Sequence, residues 1–314
     1  MISLTTIVRE RPAVLAPKRR RRIHSDVWLG LAMLTPAMLV LALVMLYPAG
    51  VAIHSSFFRI DTVTRAAAFV GLTNYQTLLR DPNFWSTLQR TFIWVVGAMV
   101  TQTLAGLLVA LVLDMQLRGR NVARGLVLFP YLVPAIVAVL IWRWILSDTV
   151  GVANYLLVDL SGLFATPIPW FDPSFAMASV VLMSLWKYTP FWAVLILARL
   201  QIIPTDLYEA ASIDGANAWD RFRYITLPWI LPLVMVILIL RSIWAFNEFD
   251  MVYLPVGGGP LFATTTMPVY IRHLAFEVLN MGAAAAVAVT MLLMLVVFTG
   301  FYFWVYRRAE DSLS

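Results

Sequence analysis

The chain has 314 residues, of which 61% are hydrophobic and only 13% charged. A soluble domain carries roughly 25% charged residues, so this composition excludes an ordinary globular fold and a disordered chain alike. With no cysteine there is neither a disulfide framework nor a thiolate metal site, and the net charge of +6 must be read from where the cations lie.

A membrane span takes about 20 mostly apolar residues. Six such segments are predicted, at about 27–53, 91–113, 125–146, 173–198, 224–250 and 278–306. They follow a basic segment, 1–26, and precede a tail, 307–314. The first apolar run is too long for a signal peptide and reads as a retained helix. The third segment contains Pro130 and Pro134, each of which removes a backbone donor. The fifth is charge-free from Tyr224 to Leu240 and is expected to continue as helix through Arg241 to about Asp250. In the sixth, Gly282 and Ala283–Ala286 offer a surface for close helix approach. Tyr302, Phe303, Trp304 and Tyr306 belong at its headgroup end.

Outside the spans, fifteen Lys and Arg fall in 1–26, 114–124, 199–223 and the tail, against five on the other side. The positive-inside rule then places both termini and the 199–223 loop in the cytoplasm. The run Lys18-Arg19-Arg20-Arg21-Arg22 reads as an orientation signal in contact with anionic lipid. Nucleic acid is not an expected partner, because no aromatic stacking platform accompanies the run.

Residues 199–229 form a connection far longer than the roughly 2–8 residues usual between bundle helices. Asp206 and Glu209 have capping-box spacing, Gly215 suits a left-handed helix stop, and Asn217 with Asp220 suits a second start. The expectation is a short helix, a glycine turn, and a second short helix that ends or kinks at Pro228. Ala210, Ala211 and Ala216 keep the turn thin enough to enter a groove. Trp219, Phe222 and Tyr224 leave docking on a partner and lying on lipid equally open.

Ionisable groups within spans are costly. Arg241, Trp244 and Glu248 fall at i, i+3 and i+7 of one helical stripe, with Asn247 beside it. A cation, an indole, an amide and a carboxylate suit a sugar, but a structural Arg241–Glu248 pairing explains them equally. Arg143, Lys187 and Tyr188 admit two readings, interfacial anchoring with snorkelling cations or a cavity wall favouring an anionic substrate. His24, His54 and His273 lack metal-ligand spacing, and no catalytic set occurs. Loop 48–90 is either a docking surface or a packed cap. Gly257–Gly259 with Pro260 forms a turn or a partner contact.

The long connection carries a resemblance. Glu209-Ala210-Ala211, Asp214-Gly215-Ala216, Phe222, Ile225, Leu227-Pro228 and Pro232 resemble the EAA loop of binding-protein-dependent ABC importer permeases. Within these, the chain is similar to the maltose-transporter type used for carbohydrate uptake. Gly71-Leu72-Thr73-Asn74-Tyr75, Trp186 with Pro190-Phe191, Phe249-Asp250 with Tyr253, and Gly257-Gly258-Gly259-Pro260 support it. Val256 stands where that family usually has Thr.

The resemblance implies an all-α polytopic protein with six transmembrane helices and the type I ABC importer permease fold, in a bacterial inner membrane. It implies an EAA coupling helix that includes Glu209, Ala210, Ala211, Asp214, Gly215, Ala216 and Phe222. It further implies a second permease subunit, two ATP-binding subunits that use ATP and Mg, and a periplasmic or lipid-anchored substrate-binding protein. The chain itself has no phosphate-binding loop, so no cofactor is expected on it. The substrate class implied is a sugar or a sugar derivative, including an anionic one. The alternative is an ion-coupled carrier or channel, which calls for repeated halves; none is evident.

Overall fold

The computed structural model describes residues 23–61, 66–115 and 118–311. The run Lys18–Arg22, Arg65 and residues 312–314 lie outside the described residues. The chain divides into two units, Met1–Val51 and Ala52–Ser314. Within the described residues the first helix is α1 (Ile23–Leu41), which passes through a π turn at Ala42–Leu46 into α2 (Tyr47–Ser55). A small hairpin follows, β1 (Phe58–Ile60) antiparallel to β2 (Ala67–Phe69), with Arg59 opposite Ala68. Then come α3 (Thr73–Arg80), α4 (Pro82–Asp114), α5 (Arg120–Leu132), α6 (Ala135–Ile145), α7 (Val152–Asn154) and α8 (Ala176–Leu200). The rest are α9 (Thr205–Ile213), α10 (Ala218–Arg221), α11 (Leu227–Phe246), α12 (Asp250–Val256), α13 (Met267–Arg272) and α14 (Met281–Asp311).

Among the described residues five helices are long and apolar enough to cross a membrane, and the bent pair α5–α6 makes a sixth if it counts as one span. The bend is 97° at Val133–Pro134. Pro134 has no amide hydrogen to continue the ladder, whereas Pro130 is carried inside α5 without ending it. The second span begins earlier than its apolar run. Asp81 caps α4 by accepting from the Asn83 amide at 2.9 Å, and Pro82 takes the first turn, where its missing donor costs nothing.

Two prolines leave the same trace. Pro48 and Pro228 each follow a π turn by two residues, after Ala42–Leu46 and Phe222–Thr226. A proline ring collides with the carbonyl four residues back in an α-helix. The wider π turn shifts that carbonyl, and both helices continue. Pro228 therefore neither ends nor kinks the element: α10, the π turn and α11 form one run, Ala218–Phe246. The expected second short helix is the first turn of the fifth span.

That span also stops sooner than expected. Helix α11 ends at Phe246, Asn247 takes the C-cap, and a separate α12 begins at Asp250. Glu248 therefore lies beyond the helix that carries Arg241 and Trp244.

The core sits where α4, α8 and α11 meet, with Trp94, Trp192, Ile196, Ile230 and Ile237 buried. Gly106 lets α4 touch α8, since a Cβ there would lie 2.3 Å from Trp192 Cβ. The residues around the hairpin form a packed cap. Asn74 Nδ2 donates to the carbonyls of Ser56 and Phe58 at 2.8 and 2.9 Å, and Phe84 is fully buried. Gly282 admits the backbone of Phe58, not a neighbouring helix. Asp61 bridges to Asn280 just before α14. Tyr302, expected among headgroups, donates its hydroxyl to the Met235 carbonyl of α11.

Gly106→Ala is expected to force α4 and α8 apart and cost about 1–3 kcal/mol. The check is a lower thermal midpoint for the purified protein; an unchanged midpoint overturns the close-contact account.

Candidate functional site

Three spans contribute to one buried polar cluster. Arg241, on α11, is only 3% exposed, so its guanidinium must replace lost hydration with protein partners. Its Nε donates to Gln102 Oε1 on α4 at 3.1 Å. Gln102 Nε2 is 3.3 Å from Ser184 Oγ on α8. The guanidinium lies over the Tyr188 ring, 3.8 Å from its centroid, a cation–π contact strengthened by exclusion of water. Tyr188 donates to Glu248 Oε2 at 3.0 Å, and Arg241 Nη1 is 4.0 Å from the same oxygen. The pairing of Arg241 with Glu248 exists, closed by a tyrosine between them. Gln102 and Ser184 are the members that sequence reasoning missed; neither is ionisable, and their only signal was polarity inside an apolar run.

Lys187 is also buried and does not snorkel. Its Nζ donates to the Val133 carbonyl at 2.5 Å. That is the residue at the α5–α6 break, so the lysine takes up an acceptor where the helix ladder is interrupted. Arg143, by contrast, is exposed near the end of α6 and stands outside this cluster. Its neighbour Trp142 meets Trp186 edge to face at 6.0 Å.

Trp244 and Asn247 are exposed, so the expected stripe divides into a buried structural member and an accessible pair. Trp244 lies 5.8 Å from Phe191, which stacks on Tyr131 at 5.9 Å. Rings from α5, α8 and α11 thus form a lane beside the polar cluster. Tyr131 had drawn no notice in the sequence because it reads as part of a proline-broken span.

In the 199–229 segment, α9 buries no residue. Asp206 is not its cap: Pro204 occupies that position, without a side-chain hydrogen bond, and Asp206 falls in the first helical turn. Gly215 adopts φ +81°. The Ala216 amide reaches the Ala211 carbonyl at 2.9 Å and the Gly215 amide the Ser212 carbonyl at 3.2 Å, which is a Schellman stop. Asn217 and Asp220 form a reciprocal capping box. Glu209, Ala210 and Asp214 are exposed on α9 and its turn, with Ala211 and Ala216 half-buried. Phe222 lies elsewhere, in the π turn of the fifth span, stacked on Trp219 at 5.6 Å.

A second polar group lies beside the glycine turn. A cavity of about 350 Å³ is lined in part by Tyr253, Gly258, Phe262, Arg272, His273 and Glu277. Glu277 meets Arg272 Nη1 at 2.5 Å and His273 Nδ1 at 2.7 Å. These hydrogen bonds, that of His273 first and then that of Arg272, hold the carboxyl below its usual range. Nearby, burial and then the hydrogen bond to Asp81 push the Tyr270 phenol upward. Among the described residues no group of three His, Asp or Glu could hold a metal ion.

Two checks follow from this geometry. Gln102→Leu removes one acceptor from the buried guanidinium and is expected to cost about 1.5–3 kcal/mol, while Trp244→Ala leaves stability nearly unchanged. Thermal unfolding of both variants decides it, and equal losses refute the division of roles. Because the folded Glu277 carboxyl is held down, its contribution is present above the unfolded value, near 4.5, and is lost as pH falls below it. Glu277→Gln should therefore show a shallower acid decline in thermal midpoint than the parent; identical declines refute it.

Comparison with known proteins agrees with this architecture. Residues 102–311 match the family described as binding-protein-dependent transport system inner membrane component. The inner membrane ABC transporter permease protein YcjO of Escherichia coli (strain K12) is 37% identical over 275 residues, covering 87% of this chain and 92% of YcjO. The trehalose/maltose transport system permease protein MalF of Thermococcus litoralis is also 37% identical, over 92% of this chain and 97% of its own. In fold, the chain is similar to one from a bacterial alginate ABC transporter, solved in complex with alginate pentasaccharide-bound periplasmic protein. That match has a TM-score of 0.77 and 22% identity, and covers 92% of this chain and 98% of the other. The chain belongs to the inner membrane components of binding-protein-dependent transport systems, as a multi-pass, non-catalytic ABC importer permease subunit of type I fold.

Proposed function

We propose that this permease passes a neutral carbohydrate across the membrane, with both termini and α9 on the cytoplasmic side. The observation that carries the reading is the exposed helix α9. It ends in a glycine turn that feeds directly into the fifth span, so a movement of α9 has a continuous helix to act upon. Glu209, Ala210, Ala211, Asp214, Gly215 and Ala216 form the seat for one of two ATP-binding subunits, which supply ATP and Mg. Phe222 belongs to the span's interfacial turn and serves the seat indirectly. A second permease subunit completes the pore, and a periplasmic or lipid-anchored protein delivers the solute.

The substrate path follows the rings of Trp244, Phe191 and Tyr131, with Asn247, Glu248 and the edge of Tyr188 beside them. Aromatic faces pack against the apolar faces of sugar rings, and amide and carboxylate groups hydrogen-bond hydroxyls. A neutral solute is favoured because Lys187 Nζ and Arg241 Nε are engaged by protein acceptors and Arg241 Nη1 faces Glu248, Arg241 Nη2 being buried without a hydrogen-bond partner, and Arg143 stands apart. Trehalose and maltose, named for the Thermococcus litoralis relative, are the first neutral candidates.

The test is uptake by the complete importer in proteoliposomes, offered maltose, trehalose and a uronic-acid oligosaccharide. Uptake of a neutral sugar that requires internal ATP is expected. Gly215→Pro should abolish uptake while the subunit still inserts, and a cysteine at Ala211 should cross-link to the ATPase subunit. Gradient-driven uptake without ATP, or no cross-link in intact membranes, overturns the coupling reading. Exclusive uptake of the acidic sugar overturns the neutral substrate.

A further inference from the structure

Helix α9 has no fully buried residue and leans on the core through the half-buried ring of Tyr208, so polar contacts must add to that packing if α9 is to be fixed to the span it is to move. Two polar contacts do so. The Tyr208 hydroxyl and Thr226 Oγ1 lie 2.9 Å apart, and Arg221 Nη1 donates to Ser212 Oγ at 3.1 Å. Tyr208 and Ser212 are four residues apart, on one side of α9. Their partners are Arg221, which precedes the π turn Phe222–Thr226, and Thr226, which ends it at the entrance to α11.

The placement has a mechanical meaning. The covalent route from α9 to the fifth span runs through Gly215, whose left-handed backbone suits a glycine and resists nothing. One attachment would leave α9 free to pivot on that turn; two fix its direction. Thr226 is only 6% exposed and Tyr208 packs its ring against the core, so the first contact is shielded from competing water. The Arg221–Ser212 contact is exposed and correspondingly weaker. Thr226 also ends the π turn imposed ahead of Pro228, and π turns inside helices frequently occur at functional sites.

We infer that the Tyr208–Thr226 hydrogen bond is the pin through which a displacement of α9 reaches the fifth span, with Arg221–Ser212 as its second point of attachment. Both tyrosine and threonine are positioning residues. The inference rests on the coupling reading above.

The experiment uses the complete importer in proteoliposomes and reads sugar taken up per ATP hydrolysed, alongside the Ala211 cysteine cross-link. Tyr208→Phe removes one hydroxyl and keeps the ring; Thr226→Val removes the other at nearly constant shape. Each should lower the uptake ratio about three- to tenfold, with the cross-link retained. Thr226→Ser, which keeps the hydroxyl, should stay near the parent. The double variant should be no worse than the poorer single one, because both remove the same contact. An unchanged ratio in Tyr208→Phe, additive losses in the double variant, or equal damage from Thr226→Ser and Thr226→Val overturns the inference. So does failure of both single variants to assemble, since the bond then serves folding alone. If the cross-link is absent in the otherwise unaltered importer, the coupling reading fails instead; if it is present with an unchanged ratio, the pin alone fails.

Discussion

A guanidinium taken out of water between apolar helices must find acceptors or the assembly does not close. Arg241 finds them on three sides, from Gln102 on α4, the ring of Tyr188 on α8 and Glu248 beyond its own helix. Each partner comes from an element that must first be correctly placed, so the cluster specifies register as well as stabilising contact. Leucine–leucine packing alone would tolerate sliding of α4 on α8. A single arginine that needs Gln102 at one level and Tyr188 at the next does not. The small-residue contact at Gly106 and the buried rings of Trp94 and Trp192 then pack against a geometry already chosen.

Four prolines of this chain do three different things, and their surroundings decide which, while others, such as Pro130 and Pro190, are carried inside a helix. Pro82 opens a helix, where its lack of a donor is harmless. Pro134 breaks one, and the interruption is met by a lysine from the neighbouring span. Pro48 and Pro228 are absorbed by a change of helical register two residues earlier. Spans of this kind are not uniform rods; the break before Pro134 is covered by a side chain, and the strain at Pro48 and Pro228 is spread over a wider turn.

Much of this was legible in the residues. Hydropathy pointed to the long apolar helices, though not to their ends, because no soluble core could hide the apolar fraction, and Gly215 and Asn217–Asp220 announced the turn and cap that are present. What could not be read depends on chain segments far apart in sequence. The Asp206 cap lost to Pro204, since the helix begins two residues earlier than local spacing indicates. Arg241, Trp244 and Glu248 share a stripe only on an unbroken helix, and the stop at Asn247 divides them. Gln102 and Ser184 looked like neutral interruptions until Arg241 was placed beside them. The permease family is legible from the short segment Glu209–Pro232, while the division between accessible Trp244 and buried Arg241 needed the third dimension.

The bridge between Asp61 and Asn280, together with the notch at Gly282 that receives Phe58, joins two stretches separated by most of the polypeptide. During synthesis the hairpin leaves the ribosome long before its counterpart. Its edge therefore waits, incompletely satisfied, until the sixth span is inserted and brings Asn280 and Gly282 alongside. A nascent chain interrupted short of residue 280 would leave that edge without its counterpart, so the cap closes only when the last long helix is in place.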